Sequence, residues 1–410
     1  MNRRHFLSHS AAVASSLPFI NTILANSSEI KKKKKSVILL WMSGGPSTID
    51  IWDLKPGQAT GGLFRPINTS ADGVQICEHL PLLSQQMHNL SIIRNMSTRE
   101  ADHTRGRYYM HTGYVPNPNV EHPSYGSVIS HELLDQVSEL DIPAFVSVGG
   151  TSIGPGFLGM SYAPFVVNTN GTVRDLDMGV DSTTLTNRLR MLEAIENKFV
   201  LEKRGPYAND HRDVISKTVK LMSSPQMDVF KVSKEPEEIQ EKYGKTGFGR
   251  SCLMARRLVE IGVPFIEVDF GGWDNHADIF TTLPDKLTEM DKGMSSLVQE
   301  LEERGLLDST AIIWMGEFGR TPNINGNAGR DHWAKSWSVV VGGADFRRGI
   351  TIGATTDDGK DIIDEAYTSQ DLMASVLKSV DISLETNFTA KNGRPMKIAN
   401  SGKVIKELFT

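Results

Sequence analysis

The chain has 410 residues, 39% of them hydrophobic, so it is long enough to bury a large core as one domain or two. Its formal net charge of -5 is modest and argues against a nucleic-acid-binding protein, which would usually be basic. The two cysteines, Cys77 and Cys252, exclude a disulfide framework and a zinc-type cysteine cluster, while a single disulfide between them stays open.

The N-terminus has the pattern of a twin-arginine export signal. Adjacent arginines, Arg3 and Arg4, precede a Phe-Leu pair and a short apolar stretch that ends near Ala25. The stretch is too short to span a bilayer, and paired arginines are typical of the twin-arginine route. We therefore predict a signal peptide over residues 1–25 and a basic linker over residues 26–35. The alternative is an ordinary amphipathic first helix.

This prediction implies the twin-arginine translocase as a partner during export, and a mature protein located in the periplasm or outside the cell. No second apolar run approaches the length of a membrane-spanning helix, so we expect no transmembrane segment in the mature protein.

Five apolar runs predict buried strands, because each is followed at once by glycine or polar residues. The runs are Ser36–Met42, Leu90–Arg94, Ala144–Val148, Val263–Val268 and Ala311–Met315. Apolar residues at three- or four-residue steps predict helices at Cys252–Ile261, Leu287–Leu301 and Ser369–Val380.

Strands that alternate with helices predict an α/β fold, with a mostly parallel central sheet and helices on both faces. We expect a single domain over residues 36–410, with a helical insertion at about residues 171–247. Ligands of such sheets bind outside the carboxyl ends of the strands, where the polar clusters of this chain fall.

The first two clusters offer groups for binding and catalysis. Ser43, Gly44 and Gly45 follow the first strand, where glycines let a ligand approach the backbone; an ordinary strand-ending turn is the alternative. The second cluster spans residues 99–107 and combines a histidine, a hydroxyl group and arginines. The hydroxyl of Thr104 at a helix start could act as a nucleophile, and Arg105 and Arg107 could hold a tetrahedral anion.

A capped amphipathic helix with charges on its solvent-exposed face is the alternative for residues 99–107.

The remaining clusters combine carboxylates and imidazoles, which divalent metals accept as ligands. Together they predict one divalent metal site with ligands from different strand ends, as in hydrolytic metal centres. The predicted ligands are Asp274, His276, Glu317, Asp331 and His332.

Simpler structural roles are possible for two of these groups. Asp274 and His276 can form a hydrogen-bonded pair that fixes a loop. Glu317 stands at the end of a buried strand, where an unpaired carboxylate is costly, and Arg320 instead of a metal could neutralise it.

The order of the motifs resembles the exported bacterial family known as domain of unknown function 1501, over about residues 36–382. The motifs are Trp-Met-Ser-Gly-Gly-Pro-Ser from 41, Asp-His-Thr-Arg-Gly from 102, Gly-Gly-Trp-Asp-Asn-His from 271, Gly-Glu-Phe-Gly-Arg-Thr-Pro from 316 and Gly-Arg-Asp-His-Trp from 329. That family is distantly similar to the alkaline phosphatase and sulfatase superfamily. The resemblance implies an alkaline phosphatase-like fold, with Asp274, His276, Glu317 and His332 at positions of metal ligands. It also implies that Thr104 or His103 lies near the position of the nucleophile.

The chain departs from the superfamily pattern at two positions of the site. Ser43-Gly44-Gly45 stands in place of a carboxylate, and Phe318 in place of a histidine. No Cys-x-Pro-x-Arg motif occurs, which argues against the formylglycine chemistry of sulfatases. These departures favour one metal, or a degenerate site, over a two-metal centre.

The leading hypothesis is a metal-dependent hydrolase of phosphate or sulfate esters, on small molecules or polysaccharides, with Zn, Mn, Mg or Ca as cofactor. Thr104 or a metal-bound water would attack, and Ser43, Gly44, Gly45 and Arg320 would contact the substrate. The alternative is an exported binding or assembly protein that has lost catalysis. A metallohydrolase of amides is disfavoured because no His-Glu-x-x-His motif occurs.

Overall fold

The computed structural model describes residues 34–174, 179–201, 215–216 and 218–410. The predicted signal peptide and most of the predicted linker lie outside these residues. Within the described ranges, no helix combines the length and the apolar character needed to cross a membrane.

Fourteen strands are present in the described chain. They are β1 (Ser36–Trp41), β2 (Pro66–Asn68), β3 (Gln75–Cys77), β4 (Leu90–Met96), β5 (Phe145–Val148), β6 (Phe165–Val167), β7 (Phe265–Asp269), β8 (Thr310–Met315), β9 (Gly319–Arg320), β10 (His332–Trp333), β11 (Trp337–Gly343), β12 (Thr351–Ile352), β13 (Asn387–Thr389) and β14 (Pro395–Lys397).

The helices lie between these strands. They are α1 (Thr48–Ile51), α2 (Pro81–Ser84), α3 (His103–Thr112), α4 (Tyr125–Glu132), α5 (Ser182–Leu201), α6 (Glu237–Tyr243), α7 (Gly247–Ile261), α8 (Ile279–Glu303) and α9 (Ser369–Ser379). Short 3-10 turns occur at Met87–Asn89, Leu134–Val137, Gly156–Leu158, Met160–Tyr162, Pro225–Phe230, Val232–Lys234, Leu307–Ser309, Ile398–Ser401 and Lys406–Leu408.

Eight strands form one sheet in the order β12-β4-β11-β8-β1-β7-β5-β6. β1 lies inside the sheet and pairs in parallel with β7 and β8, with Ser36 opposite Thr310 and Val37 opposite Phe265. Only β11 runs against its neighbours, β4 and β8. The predicted mostly parallel sheet is confirmed, and the five predicted strands all belong to it.

The core consists of two layers, one on each face of the sheet. Along β1, Ile38 and Leu40 join the layer that also contains buried residues of α7 and α8. Val37 and Leu39 join the opposite layer, with buried residues of α4 and α9. This alternation follows from the two-residue period of a strand, and it confirms the prediction of helices on both faces.

Two of the predicted helices begin earlier than the apolar periodicity indicated. α7 starts at Gly247, because the side chain of Thr246 accepts a hydrogen bond from the backbone N–H of Gly249 and caps the helix. α8 starts at Ile279 and continues through Pro284, which lies in its first turns. Gly262 ends α7 in the left-handed conformation.

The range of the predicted helical insertion, about 171–247, contains α5 and α6 and two 3-10 turns among its described residues. The division of the chain into domains stays a prediction.

The carboxyl ends of β1, β4, β7 and β8 lie at one edge of the sheet, because these four strands point the same way. The loop after β8 is fastened there by a buried ion pair. Arg330 donates from Nε and Nη2 to the carboxylate of Asp50 in α1, at 2.7 and 2.8 Å, and neither residue is exposed. The same guanidinium donates to the carbonyl of Thr60 at 2.8 Å.

We expect Arg330→Met to lower the free energy of unfolding by about 3–5 kcal/mol, because it leaves the charge of Asp50 buried without its partner. The double variant Asp50→Asn/Arg330→Met removes that charge and should recover most of the loss. Chemical denaturation of the wild type and both variants measures this. A double variant as unstable as Arg330→Met would contradict the account.

Candidate metal centre

Segments that follow four parallel strands supply the residues of the site. The loop after β1 contributes Gly44, and the segment after β4 leads into α3, which begins at His103. Asp274 and His276 follow β7. Glu317, Arg320 and His332 follow β8, with His332 placed opposite Arg320 by the antiparallel pairing of β10 with β9.

Two glycines let these segments approach one another. A Cβ on Gly44 would lie 2.7 Å from the backbone nitrogen of Asp274, and its φ of +117° is one that other residues rarely adopt. A Cβ on Gly106 of α3 would lie 3.1 Å from Cβ of Glu317 and from the ring of Phe318. The helix that carries His103 therefore packs directly against Glu317.

Three histidines of the site share one arrangement: the Nδ1 atom of each lies close to an oxygen that can only accept a hydrogen bond. The pairs are His103 with Glu317 at 2.6 Å, His276 with Asp331 at 2.8 Å, and His332 with the carbonyl of Ala101 at 2.7 Å. Each Nδ1 therefore carries the proton and donates it. In a neutral ring the Nε2 atom then keeps a free lone pair.

The three Nε2 atoms converge on the carboxylate of Asp274. His276 and His332 approach Oδ1 at 3.0 and 3.3 Å, and His103 approaches Oδ2 at 3.3 Å. The Nε2 atoms of His276 and His332 are 3.2 Å apart. Two atoms bound tetrahedrally to one Zn²⁺ ion lie about 3.3 Å apart. The 3.3 Å distances from the carboxylate of Asp274 to Nε2 of His103 and of His332 thus fit a shared cation.

Two buried atoms in this cluster lack a hydrogen-bond partner among the described residues, namely Nε2 of His103 and Oε2 of Glu317. Buried polar atoms of this kind are costly and need an explanation such as an ion. Ligand atoms of His103, Asp274 and His332 all lie within 4.8 Å of one another, so this group could hold a metal ion. Three protein ligands with a further open position are typical of catalytic zinc sites.

The surrounding charges suit a metal ligand set. Partial burial raises the pKa of Asp274, but the hydrogen bond and charge of Arg320 outweigh it and lower that pKa to about 2. The hydrogen bond that His103 donates to Glu317 raises the pKa of His103, which makes the ring more basic. Carboxylates behind metal-binding histidines commonly fix and strengthen them in this way.

Glu317 and Asp331 were predicted as metal ligands, and the structure places each of them behind a histidine. Glu317 accepts from His103 and also from the backbone N–H of Gly44, at 3.0 Å. Asp331 accepts from His276 and from the side-chain amide of Asn325, at 3.2 Å. His103, predicted near the nucleophile, lies instead with Asp274 and His332.

Arg320, predicted to contact the substrate, has a side chain with no exposed surface. Its guanidinium donates to Asp274 at 2.5 Å and to the carbonyl of Gly45 at 2.7 Å. Further donors reach the carbonyls of Gly44 and Arg330. Arg320 thus joins the loops after β1, β7 and β8.

The other predicted residues lie around this cluster with partners of their own. Thr104 follows His103 and is exposed. Arg105 pairs with Glu100 through two hydrogen bonds, at 2.6 and 2.9 Å. The structure does not bring Arg105 into contact with the histidines.

Arg107 lies one helical turn after His103 in α3. Its Nη2 lies 3.2 Å from Oδ2 of Asp269, at the end of β7. Ser43 is half-buried, and its backbone joins the loop after β7: its N–H donates to Phe270 and its carbonyl accepts from Trp273.

Comparisons with known proteins place the chain in a family. The model of the family described as "Protein of unknown function (DUF1501)" matches residues 34–409, so the chain belongs to this family. This confirms the resemblance seen in the sequence motifs. Among curated proteins, no sequence matches the chain.

Several solved structures are similar to the chain at low identity. The PsFucS1 sulfatase from Pseudoalteromonas sp. is 12% identical, with a TM-score of 0.41 over 87% of this chain and 71% of the sulfatase. The alkaline phosphatase of the Antarctic bacterium TAB5 is 12% identical, with a TM-score of 0.39 over 85% of this chain and 98% of that enzyme. An alkaline phosphatase superfamily protein from Vibrio parahaemolyticus is 14% identical, with a TM-score of 0.39 over 90% and 69%.

We expect Glu317→Gln to weaken divalent metal binding by about 10–100-fold, because it removes the charge that orients His103 and makes it basic. Glu267→Gln is the matched control. Glu267 is also fully buried and contacts a histidine of α3, His111, at 3.2 Å. Metal titration by calorimetry should show a loss for Glu317→Gln alone; equal effects of both substitutions would contradict a specific role for Glu317.

Proposed function

We propose that this DUF1501 protein is a metal-dependent hydrolase of phosphate or sulfate esters. A single divalent cation would be held by His103, Asp274 and His332. The observation that carries the proposal is the convergence of histidine lone pairs on an ionised carboxylate, with a buried Nε2 of His103 that has no hydrogen-bond donor in the described chain. Such a set of acceptors requires a cation or extra protons.

The protein residues position the reaction in distinct ways. Glu317 and the carbonyl of Ala101 hold the rings of His103 and His332 with their Nε2 lone pairs toward Asp274. Asp274 has a side chain that is 45% exposed, so the cluster is open to a substrate from solution. A bound divalent cation would polarise an ester oxygen and lower the pKa of bound water.

A groove of about 260 Å³ beside the cluster supports a sugar-bearing ester as substrate. It begins at Asp331, which holds His276, and continues past Asn323, Trp333 and Lys360. The indole of Trp333 is fixed by a hydrogen bond to Ser336 at 3.1 Å. An aromatic face flanked by amide and ammonium groups offers stacking and hydrogen bonds to a sugar ring.

The second candidate function is a binding protein that has lost catalysis. It is favoured by Arg320, whose guanidinium already neutralises Asp274 and donates to Nε2 of His276 at 3.3 Å. Part of the acceptor cluster is therefore compensated by the protein itself.

We further propose that the protein is exported through the twin-arginine route to the periplasm or beyond. The paired arginines Arg3 and Arg4 support this. The ligands come from segments that are far apart in sequence, so the site can exist only after folding. Export of a folded protein would let the metal bind in the cytoplasm and travel with it.

The test combines metal analysis of the purified protein with a panel of aryl phosphates and sulfates, supplied with Zn, Mn, Mg or Ca. We expect bound divalent metal, and hydrolysis that falls by more than about 100-fold in His332→Ala, because a ligand should matter at least as much as a residue behind one. His88→Ala, which alters a half-exposed histidine that contacts Glu302, is the control and should keep full activity.

Absence of bound metal after supplementation would contradict the proposal. A protein that binds metal but hydrolyses no ester, while its affinity for a glycan survives His332→Ala, would favour the binding protein instead.

A further inference from the structure

The carboxylate of Asp274 has a histidine on each side. Its Oδ2 lies 3.3 Å from Nε2 of His103, and its Oδ1 lies 3.0 Å from Nε2 of His276. A carboxylate between two imidazoles is the arrangement expected of a ligand that bridges two metal ions. The number of metal ions at the site therefore depends on which other groups lie beside Oδ1 and Oδ2 of Asp274.

Arg320 occupies the Oδ1 side. Its Nη2 donates to Oδ1 of Asp274 at 2.5 Å, and its Nη1 donates to Nε2 of His276 at 3.3 Å. A guanidinium stays protonated in proteins, so it is a permanent positive charge at this position. A second metal ion beside it would meet electrostatic repulsion and a lone pair that is already engaged.

The guanidinium is held in place by hydrogen bonds to backbone carbonyls. It donates to the carbonyls of Gly44 and Gly45, two successive residues with φ of +117° and +67°, and to the carbonyl of Arg330 at 3.2 Å. Its side chain has no exposed surface. The loop after β1 thus binds the guanidinium of Arg320 through two backbone carbonyls.

The two histidines next to Oδ1 of Asp274, His276 and His332, differ in the hydrogen-bond partners of their ring nitrogens. His276 donates from Nδ1 to Asp331 and accepts at Nε2 from Arg320, so both ring nitrogens have a protein partner. His332 also donates from Nδ1. Both Nε2 atoms face Oδ1 of Asp274, at 3.0 Å for His276 and 3.3 Å for His332, and lie 3.2 Å apart, but Arg320 donates to that of His276 alone. Only His332 of this pair has a lone pair available to an ion.

We infer that the guanidinium of Arg320 takes the place of a second metal ion and restricts the centre to one ion. His276 accepts a hydrogen bond from Arg320 and is not a metal ligand. The inference rests on the proposed function, since it assigns the metal count and ligand set of the same site. It divides the five predicted ligands into one group that binds the ion and another that holds Arg320 and the histidine rings.

The test is a titration of the metal-stripped full chain with Mn²⁺, followed by calorimetry and by elemental analysis after dialysis. His276→Ala and His332→Ala form a matched pair, because both histidines touch the same oxygen of Asp274 and both have an anchored Nδ1. We expect one Mn²⁺ per wild-type chain, retention of that ion with less than tenfold loss of affinity in His276→Ala, and more than 100-fold loss in His332→Ala.

Two ions in the wild type, or equal losses in the two variants, would overturn this inference and the single-cation ligand set, and would leave the proposed metal-dependent ester hydrolysis standing. A wild-type protein that binds no Mn²⁺, Zn²⁺, Mg²⁺ or Ca²⁺ would overturn both.

A second pair of variants tests Arg320 directly. Arg320→Met removes the charge and should raise the count from one Mn²⁺ to two, visible as spin coupling in the electron paramagnetic resonance spectrum. Arg320→Lys keeps a positive charge and should bind one. A folded Arg320→Met protein that still binds a single ion would overturn the role assigned to Arg320; if this variant does not fold, the histidine pair decides.

Discussion

Acceptor atoms from separate segments of the chain crowd around the carboxylate of Asp274, and their mutual repulsion has to be offset by positive charge. Arg320 supplies part of that charge from within the protein and lowers the pKa of Asp274 to about 2, against the opposing effect of partial burial. The buried Nε2 of His103 and the Nε2 of His332 are left facing the carboxylate without a donor. The chemistry of the site follows from this incomplete compensation.

The fold serves this cluster by bringing backbone segments unusually close. A Cβ would clash with backbone at Gly44 and would be crowded at Gly106, because the loop after β1 and the helix α3 lie directly against Asp274 and Glu317. α3 is docked at both ends by buried carboxylates: its first residue, His103, contacts Glu317, and His111 in its last turn contacts Glu267. A rigid helix start is what a precisely placed histidine ligand needs.

Much of this architecture was predictable from the sequence. Continuous apolar runs such as Ser36–Met42 identified five strands of the sheet, because a strand buried on both faces has no polar alternation. The rule that ligands bind at the carboxyl ends of parallel strands placed Asp274, Glu317 and His332 at one edge. β11 was missed because its continuous apolar run is only Val339–Val341, between Ser338 and Gly342, which is shorter than the run of β1.

The roles within the site could not be read from sequence, because they depend on which atom faces which. Asp331 and Asp274 both lie within two residues of a histidine in the chain, yet one lies behind His276 and the other faces three Nε2 atoms. His103 was associated with a nucleophile position through the superfamily resemblance. Glu317, the partner of His103, is distant from it in sequence. The carbonyls of Gly44 and Gly45, which accept from Arg320, are likewise distant from Arg320 in sequence.

The most direct test of the account is a crystal structure of the Mn²⁺-soaked protein, with anomalous scattering recorded to locate the ion. The account predicts one anomalous peak per chain, bonded to Nε2 of His103, Nε2 of His332 and the carboxylate of Asp274, with Arg320 still hydrogen-bonded to Asp274. A site without a peak, or an ion bonded to His276 with Arg320 displaced, would contradict it.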